Sequence, residues 1–147
     1  MFGVAWTILN EPVTTEPIDI AAENAKKGAE YMRELKGYAK TASGIMYKYI
    51  KKGSGDNFTD KDIVNVVYSG KFIDGKEFDS SQGQPRPMPV QGVIPGMQEM
   101  LKLMKPGDKV EVVIPGELAY GDQGNQVIGP GETLIFTIET LGLYGQP

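Results

Sequence analysis

Residues 66–81, VVYSGKFIDGKEFDSS, gather the side chains best suited to chemistry in this chain. Val64, Val66 and Tyr68 alternate with Asn65, Val67 and Ser69, the period of a strand with one buried and one wetter face. Asp74-Gly75 marks a tight turn, because glycine accepts positive φ without a Cβ penalty. The returning arm ends in Phe78 and Asp79, an aromatic and a carboxylate held near the Tyr68 ring, an arrangement suited to lining a small pocket. Absences narrow what such a pocket can do. The chain has no histidine and no cysteine, which excludes Ser-His-Asp triads, histidine shuttles, thiolate nucleophiles and thiolate metal sites. Any catalysis here has to proceed without a nucleophile or a strong base.

The elements that position these residues fit one core. The chain has 147 residues, 40% hydrophobic and 23% charged, a globular composition too short for two ordinary domains. Its net charge of -4 and lack of a basic cluster argue against nucleic acid as a partner. Residues 1–8 are apolar around Trp6 but lack a basic leader and the length of a signal peptide or membrane span. They read equally as an expression remnant, the start of a mature exported protein or a strand that docks elsewhere. Pro12 and Pro17 make the following residues an extended arm. From Asp19, a candidate N-cap, Ala22, Ala25, Ala29, Met32 and Leu35 form a weak apolar stripe of helical spacing, supported by Glu23 and Lys27. Gly28 is expected to interrupt this helix and Gly37 to close it. The stripe suits either a solvated helix leaning on its own domain or a contact in a homodimer.

A strand is predicted over residues 45–50, followed by a glycine-rich surface crossing without the lysine, serine and helix of a nucleotide loop. Prolines 85, 87 and 89 restrict the next extended segment to an edge or rim, with Met88 and Val90 pointing inward. Residues 94–104 read as a short helix: Pro95 suits its first turn, Met97, Met100, Leu101 and Met104 recur at three-and-four spacing, and Lys105 lies near its end. The methionines suit core packing, with Met88 and Met97 also suited to a deformable ligand surface. Strands over residues 110–114 and 134–143 bracket a long loop whose Leu118, Ala119, Tyr120, Val127 and Ile128 form a candidate binding rim. The outline is α+β.

Six ordered blocks carry a resemblance: VVYSG at 66–70, GKEFDSS at 75–81, VIPGMQEML at 93–101, PGDKVEVVIP at 106–115, LAYG at 118–121 and GPGETLIFTIETL at 129–141. Over residues 43–143 the chain resembles FKBP-type peptidyl-prolyl cis-trans isomerases. Residues 24–50 also resemble the joining segment of bacterial envelope isomerases of the macrophage-infectivity-potentiator type. The prolines and the apolar stripe mark an extended arm over residues 1–18 and a short helix and linker over 19–42, and the resemblance implies an isomerase domain over 43–147. That domain would be a twisted antiparallel sheet wrapped around a short helix. It implies X-Pro isomerisation in an apolar pocket, with Tyr68, Phe78, Asp79, Ile94, Tyr120 and Phe136 as the catalytic set and Met88, Val93, Met97 and Ile128 as substrate contacts. Met97 stands at the pocket floor, where the family commonly has tryptophan. No cofactor or metal is implied. The implied partners are proline-containing peptides or unfolded proteins, and macrolides such as rapamycin. The implied location is the bacterial periplasm or envelope, with the cytoplasm as the alternative. A non-catalytic peptide-binding or chaperone module would use the same pocket.

Overall fold

Each strand predicted from period-two patterning is present, and the pairing is antiparallel throughout. The computed structural model describes residues 18–145; the arm expected over residues 1–18 lies, apart from Ile18, outside them. The elements are α1 (Ile20–Arg33), β1 (Ala39–Lys40), β2 (Met46–Lys51), β3 (Ile63–Phe72), β4 (Glu77–Ser80), β5 (Arg86–Pro89), α2 (Pro95–Leu103), β6 (Lys109–Ile114) and β7 (Leu134–Leu143). The sheet order is β1-β2-β6-β7-β3-β4, with β5 also pairing β3. The two longest strands, β3 and β7, pair along most of their length and form its spine. Along the other edge of β3, β5 takes residues 63–66 and β4 takes 69–71, so two short strands share one long partner. Pro87 and Pro89 lie on that short edge strand, where a missing amide is tolerated.

The core lies between the sheet and α2. Val64, Val66, Val112, Ile114, Leu134 and Ile138 turn one face of the strands toward Met97, Met100 and Leu101 of the helix and Met104 just beyond its end, all buried. Each such side chain contributes about 1.5–3 kcal/mol by leaving water. Gly96 sets how closely the helix can approach, since a Cβ there would stand 2.4 Å from Ile114 Cγ2. Pro95 occupies the first turn as expected. The helix ends at Leu103, so Lys102, not Lys105, is the cation of its last turn.

On the opposite face, α1 begins at Asp19, whose Oδ1 accepts the Ala22 N–H at 3.0 Å. Gly28 does not interrupt this helix. It is buried within it, and an added Cβ would lie 1.9 Å from Thr133 Oγ1, so the glycine is where the helix seats on the sheet. Met32 packs with Val113 and Ile135, and Asn24 Nδ2 donates to the Pro130 carbonyl at 2.8 Å. Gly37, at φ +81°, turns the chain beyond the helix rather than capping it, because the helix already ends at Arg33. Tyr38 then ties the linker down, its hydroxyl donating to Glu111 Oε2 at 2.6 Å under the Lys48 ammonium. A hollow of about 710 Å³ remains between α1, the β1–β2 turn and the loop after β6. Among the described residues, no helix is long and apolar enough to cross a membrane.

Candidate active site

A second cavity, of about 430 Å³, opens on the α2 side of the sheet. Tyr68 of β3, Phe78 and Asp79 of β4, Met88 of β5 and Phe136 of β7 form its sheet wall. Gly92, Val93 and Ile94 lead into α2, Met97 of α2 lies below, and Tyr120 stands on the long loop. Nine of the ten side chains or backbone positions singled out from the sequence therefore converge.

The tenth, Ile128, does not. It is 2% exposed and packs in the core. The cause is a side-chain turn: Asn125 Oδ1 accepts the N–H groups of Val127 and Ile128 at 2.8 and 2.7 Å, and the Asn125 N–H returns to the Ile128 carbonyl. This folds Ile128 inward and leaves Val127 on the surface.

The aromatic wall depends on a glycine in β3. The Phe78 and Phe136 rings meet edge to face, with centroids 5.6 Å apart at 87°, and Phe72 backs Phe78 at 4.9 Å. Gly70 is the cross-strand partner of both Phe136 and Asp79. A Cβ on it would lie 2.7 Å from Phe78 Cζ and 2.8 Å from Phe136 Cε1, so only a bare backbone lets both rings lie on the sheet. Phe136, 7% exposed, is core and cavity wall at once, and Met97, 2% exposed, closes the floor with a flexible thioether.

The rim is polar and arranged to hold hydrogen bonds. The Tyr68 hydroxyl donates to Asp79 Oδ2 at 3.0 Å, and Asp79 Oδ1 accepts the Ser80 N–H at 2.8 Å. Burial, then the hydrogen bond to Asp79 and its negative charge, raise the Tyr68 phenol above the ordinary tyrosine pKa, with Arg86 acting weakly in the opposite sense. Ser81 fixes the Tyr68 backbone from both sides: its Oγ accepts the Tyr68 N–H at 3.0 Å and its own N–H donates to the Tyr68 carbonyl at 2.9 Å. Ile94 caps α2, its carbonyl accepting from Met97 and Gln98, while Gln98 Nε2 steadies the Val93 carbonyl at 2.8 Å. The Ile94 N–H has no acceptor among the described residues. Tyr120 is 40% exposed and held in a turn by the Gly121 N–H to Gly116 and the Gly124 N–H to the Tyr120 carbonyl.

Four contributors escape the sequence reading of the site. Gly70 had a legible signal, a lone glycine inside a strand, which marks a close approach. Ser81 and Gln98 act on backbone groups and Gly92 contributes only a surface, and residue type alone does not reveal such roles.

Comparison with known proteins accords with this geometry. Residues 55–141, more than half of the chain, match the family model of FKBP-type peptidyl-prolyl cis-trans isomerases. The chain is 43% identical over 132 residues to the FKBP-type isomerase FkpA of Escherichia coli, covering 86% of this chain and 49% of that protein. It is 42% identical over 126 residues to the isomerase Mip of Coxiella burnetii, covering 82% and 55%. It thus spans about half the length of these curated relatives. The crystal structure of Escherichia coli FkpA superposes with a TM-score of 0.79 at 44% identity, over 84% of this chain and 60% of that one. A peptidyl-prolyl isomerase from Pseudomonas syringae gives 0.78 at 31% identity, over 89% of this chain and 98% of that one. With its fold, its ordered sequence blocks and the family match in agreement, the chain belongs to the FKBP-type peptidyl-prolyl cis-trans isomerases.

Proposed function

We propose that this protein accelerates rotation about X-Pro bonds in flexible or unfolded polypeptides, by non-covalent stabilisation of the twisted amide. One observation carries the reading: a single cavity combines an aromatic and apolar wall with a hydrogen-bonding rim, in a chain that has neither histidine nor cysteine. X-Pro rotation needs no bond to be broken; its barrier of about 18–20 kcal/mol is largely lost amide resonance. Each ~1.4 kcal/mol by which a site favours the twisted over the planar amide gives about tenfold in rate.

The proline ring enters between Tyr68, Phe78, Met97, Tyr120 and Phe136. Water leaves the carbonyl, whose charge separation is greater when planar, so desolvation penalises the ground state more than the twisted state. The Ile94 N–H and the Tyr120 hydroxyl anchor substrate carbonyls. Asp79 orients Tyr68 and need not abstract a proton, since rotation about the amide breaks no bond.

The test is protease-free exchange of a short X-Pro peptide series with the intact protein, Phe136→Ala and Asp79→Ala. Isomerisation by the parent that falls at least about tenfold in folded variants is the expected result. Asp79 is exposed, so its replacement reports on the site even where Phe136→Ala weakens the core. Undiminished turnover in a folded variant removes that residue from the assignment.

The methionine floor favours a second reading, a peptide-holding module that binds X-Pro segments without selecting the twisted state. Binding without exchange across varied X residues distinguishes it. Macrolide binding rests on the same apolar walls, and rapamycin displacing a bound peptide tests it. Homodimerisation through α1 rests on Ile20, 55% exposed, because Met32 is already seated on its own sheet. A mass that rises with concentration supports the dimer. Similarity to the bacterial FkpA and Mip isomerases favours the envelope over the cytoplasm, and fractionation of the host cell checks it.

A further inference from the structure

We infer that Arg86 gives the pocket a preference for proline segments carrying an acidic side chain beside the proline, an inference that rests on the isomerase reading above. In the β3–β5 pair, Met88 lies opposite Val64 and Arg86 opposite Val66. Residues directly opposite in an antiparallel pair share a face, and Val64 and Val66 face the core. Arg86 therefore leaves the sheet on the same side as Met88 and Tyr68, both of which line the cavity. Tyr68 lies two residues beyond Val66 on that face, the diagonal neighbour that a long side chain reaches. The weak lowering of the Tyr68 pKa by the Arg86 charge fits this proximity.

Asp79, which lines the cavity, and Arg86, which leaves the sheet on the same side beyond that lining, differ in how far their charges are committed. Asp79, the charged member of the cavity lining, has an oxygen engaged by Tyr68 and another by Ser80. Arg86 is exposed and forms no ion pair among the described residues. Its guanidinium is an unused fork of donors with the geometry of a carboxylate. Pro85 and Pro87 flank it, and a residue before proline is held extended, so the backbone that aims this fork is ordered before substrate arrives.

The experiment uses peptides identical except for Glu, Gln or Lys next to proline, placed first before and then after it, with the Gln peptide as the internal reference. At low salt, kcat/KM for Glu should exceed that for Lys by roughly two- to fivefold at one of the two positions, the size an exposed ion pair gives. The ratio should shrink toward one at roughly 0.5 M salt. Arg86→Lys should keep the order and Arg86→Glu should invert it. A Glu:Lys ratio that Arg86→Glu leaves unmoved at both positions, while the Gln peptide is still turned over, overturns the inference. If no peptide is turned over, the isomerase reading fails first. The same ratio is then read from peptide Kd values, where equal affinities overturn the charge preference as well.

Discussion

The two hollows on opposite faces of the sheet differ in a way that volume does not predict. The one beside α1 is larger, about 710 against 430 Å³, yet its lining combines Ala25, Ala29, Met32, Met46 and Pro115 with the charged Arg33, Lys40, Glu117 and Asp122 and has no aromatic ring. The smaller one gathers Tyr68, Phe78, Tyr120 and Phe136 around a bonded Tyr68–Asp79 pair. Each face also has a glycine that sets how closely its partner approaches: Gly70 admits two rings, and Gly28 admits Thr133 beneath a helix. One glycine therefore shapes a surface for a ligand, while the other shapes a joint within the molecule. Chemistry follows from which groups converge, not from how much space they leave.

The sharpest way to break this contrast is to fill both glycines. Gly70→Val forces the Phe78 and Phe136 rings aside, and should cost about 1–3 kcal/mol in urea unfolding and lower isomerisation at least about tenfold in the folded protein. Gly28→Val should cost a similar ~1–3 kcal/mol by lifting α1 from Thr133, yet leave turnover within about twofold. Equal losses of activity in the two variants would join what the comparison separates.

A smaller effect concerns pH. The Tyr68 pKa is raised in the folded state, so as pH climbs past about 10 the unfolded chain loses this proton first. Its contribution is complete below the unfolded value and is lost as pH rises through the folded one. Wild-type urea midpoints should therefore fall more steeply than those of Tyr68→Phe between about pH 9 and 11, and parallel curves would contradict this. Isomerisation itself should stay level between about pH 6 and 9, since no histidine titrates there. The smallest expected effect is that of Met97→Leu. Near conservation of volume should hold the stability change below about 1.5 kcal/mol, with a few-fold rise in KM as the floor stiffens.

How much of this was legible in the sequence depended on whether a feature had a local period. The β3 alternation and the methionine spacing of α2 each repeat over several residues, the Asp74-Gly75 turn is legible from its residue types alone, and each matches the structure. The aromatic positions around the cavity were reached through ordered blocks, because nothing local says that Tyr68 of β3 and Phe136 of β7 line one hollow. β1 is two residues long and has no period to read. Gly28 was misread because propensity records the cost of glycine in an isolated helix, whereas Thr133, remote in sequence, supplies the reason for it. Ile128 looked like a rim residue by composition, but the Asn125 turn redirects it. That β4 and β5 share one edge of β3 is a long-range pairing that no short window contains.

The alternating prolines of β5 bear on how the molecule survives its own proposed clients. An exposed strand edge is a template, and an unfolded chain supplies a free strand to add to it. Within Arg86–Pro89 the only amides are those of Arg86 and Met88, so Pro87 and Pro89 leave gaps in any row of donors a newcomer would need. Along this rim a client can be gripped by its side chains but cannot be zipped on by its backbone, which favours release over co-aggregation.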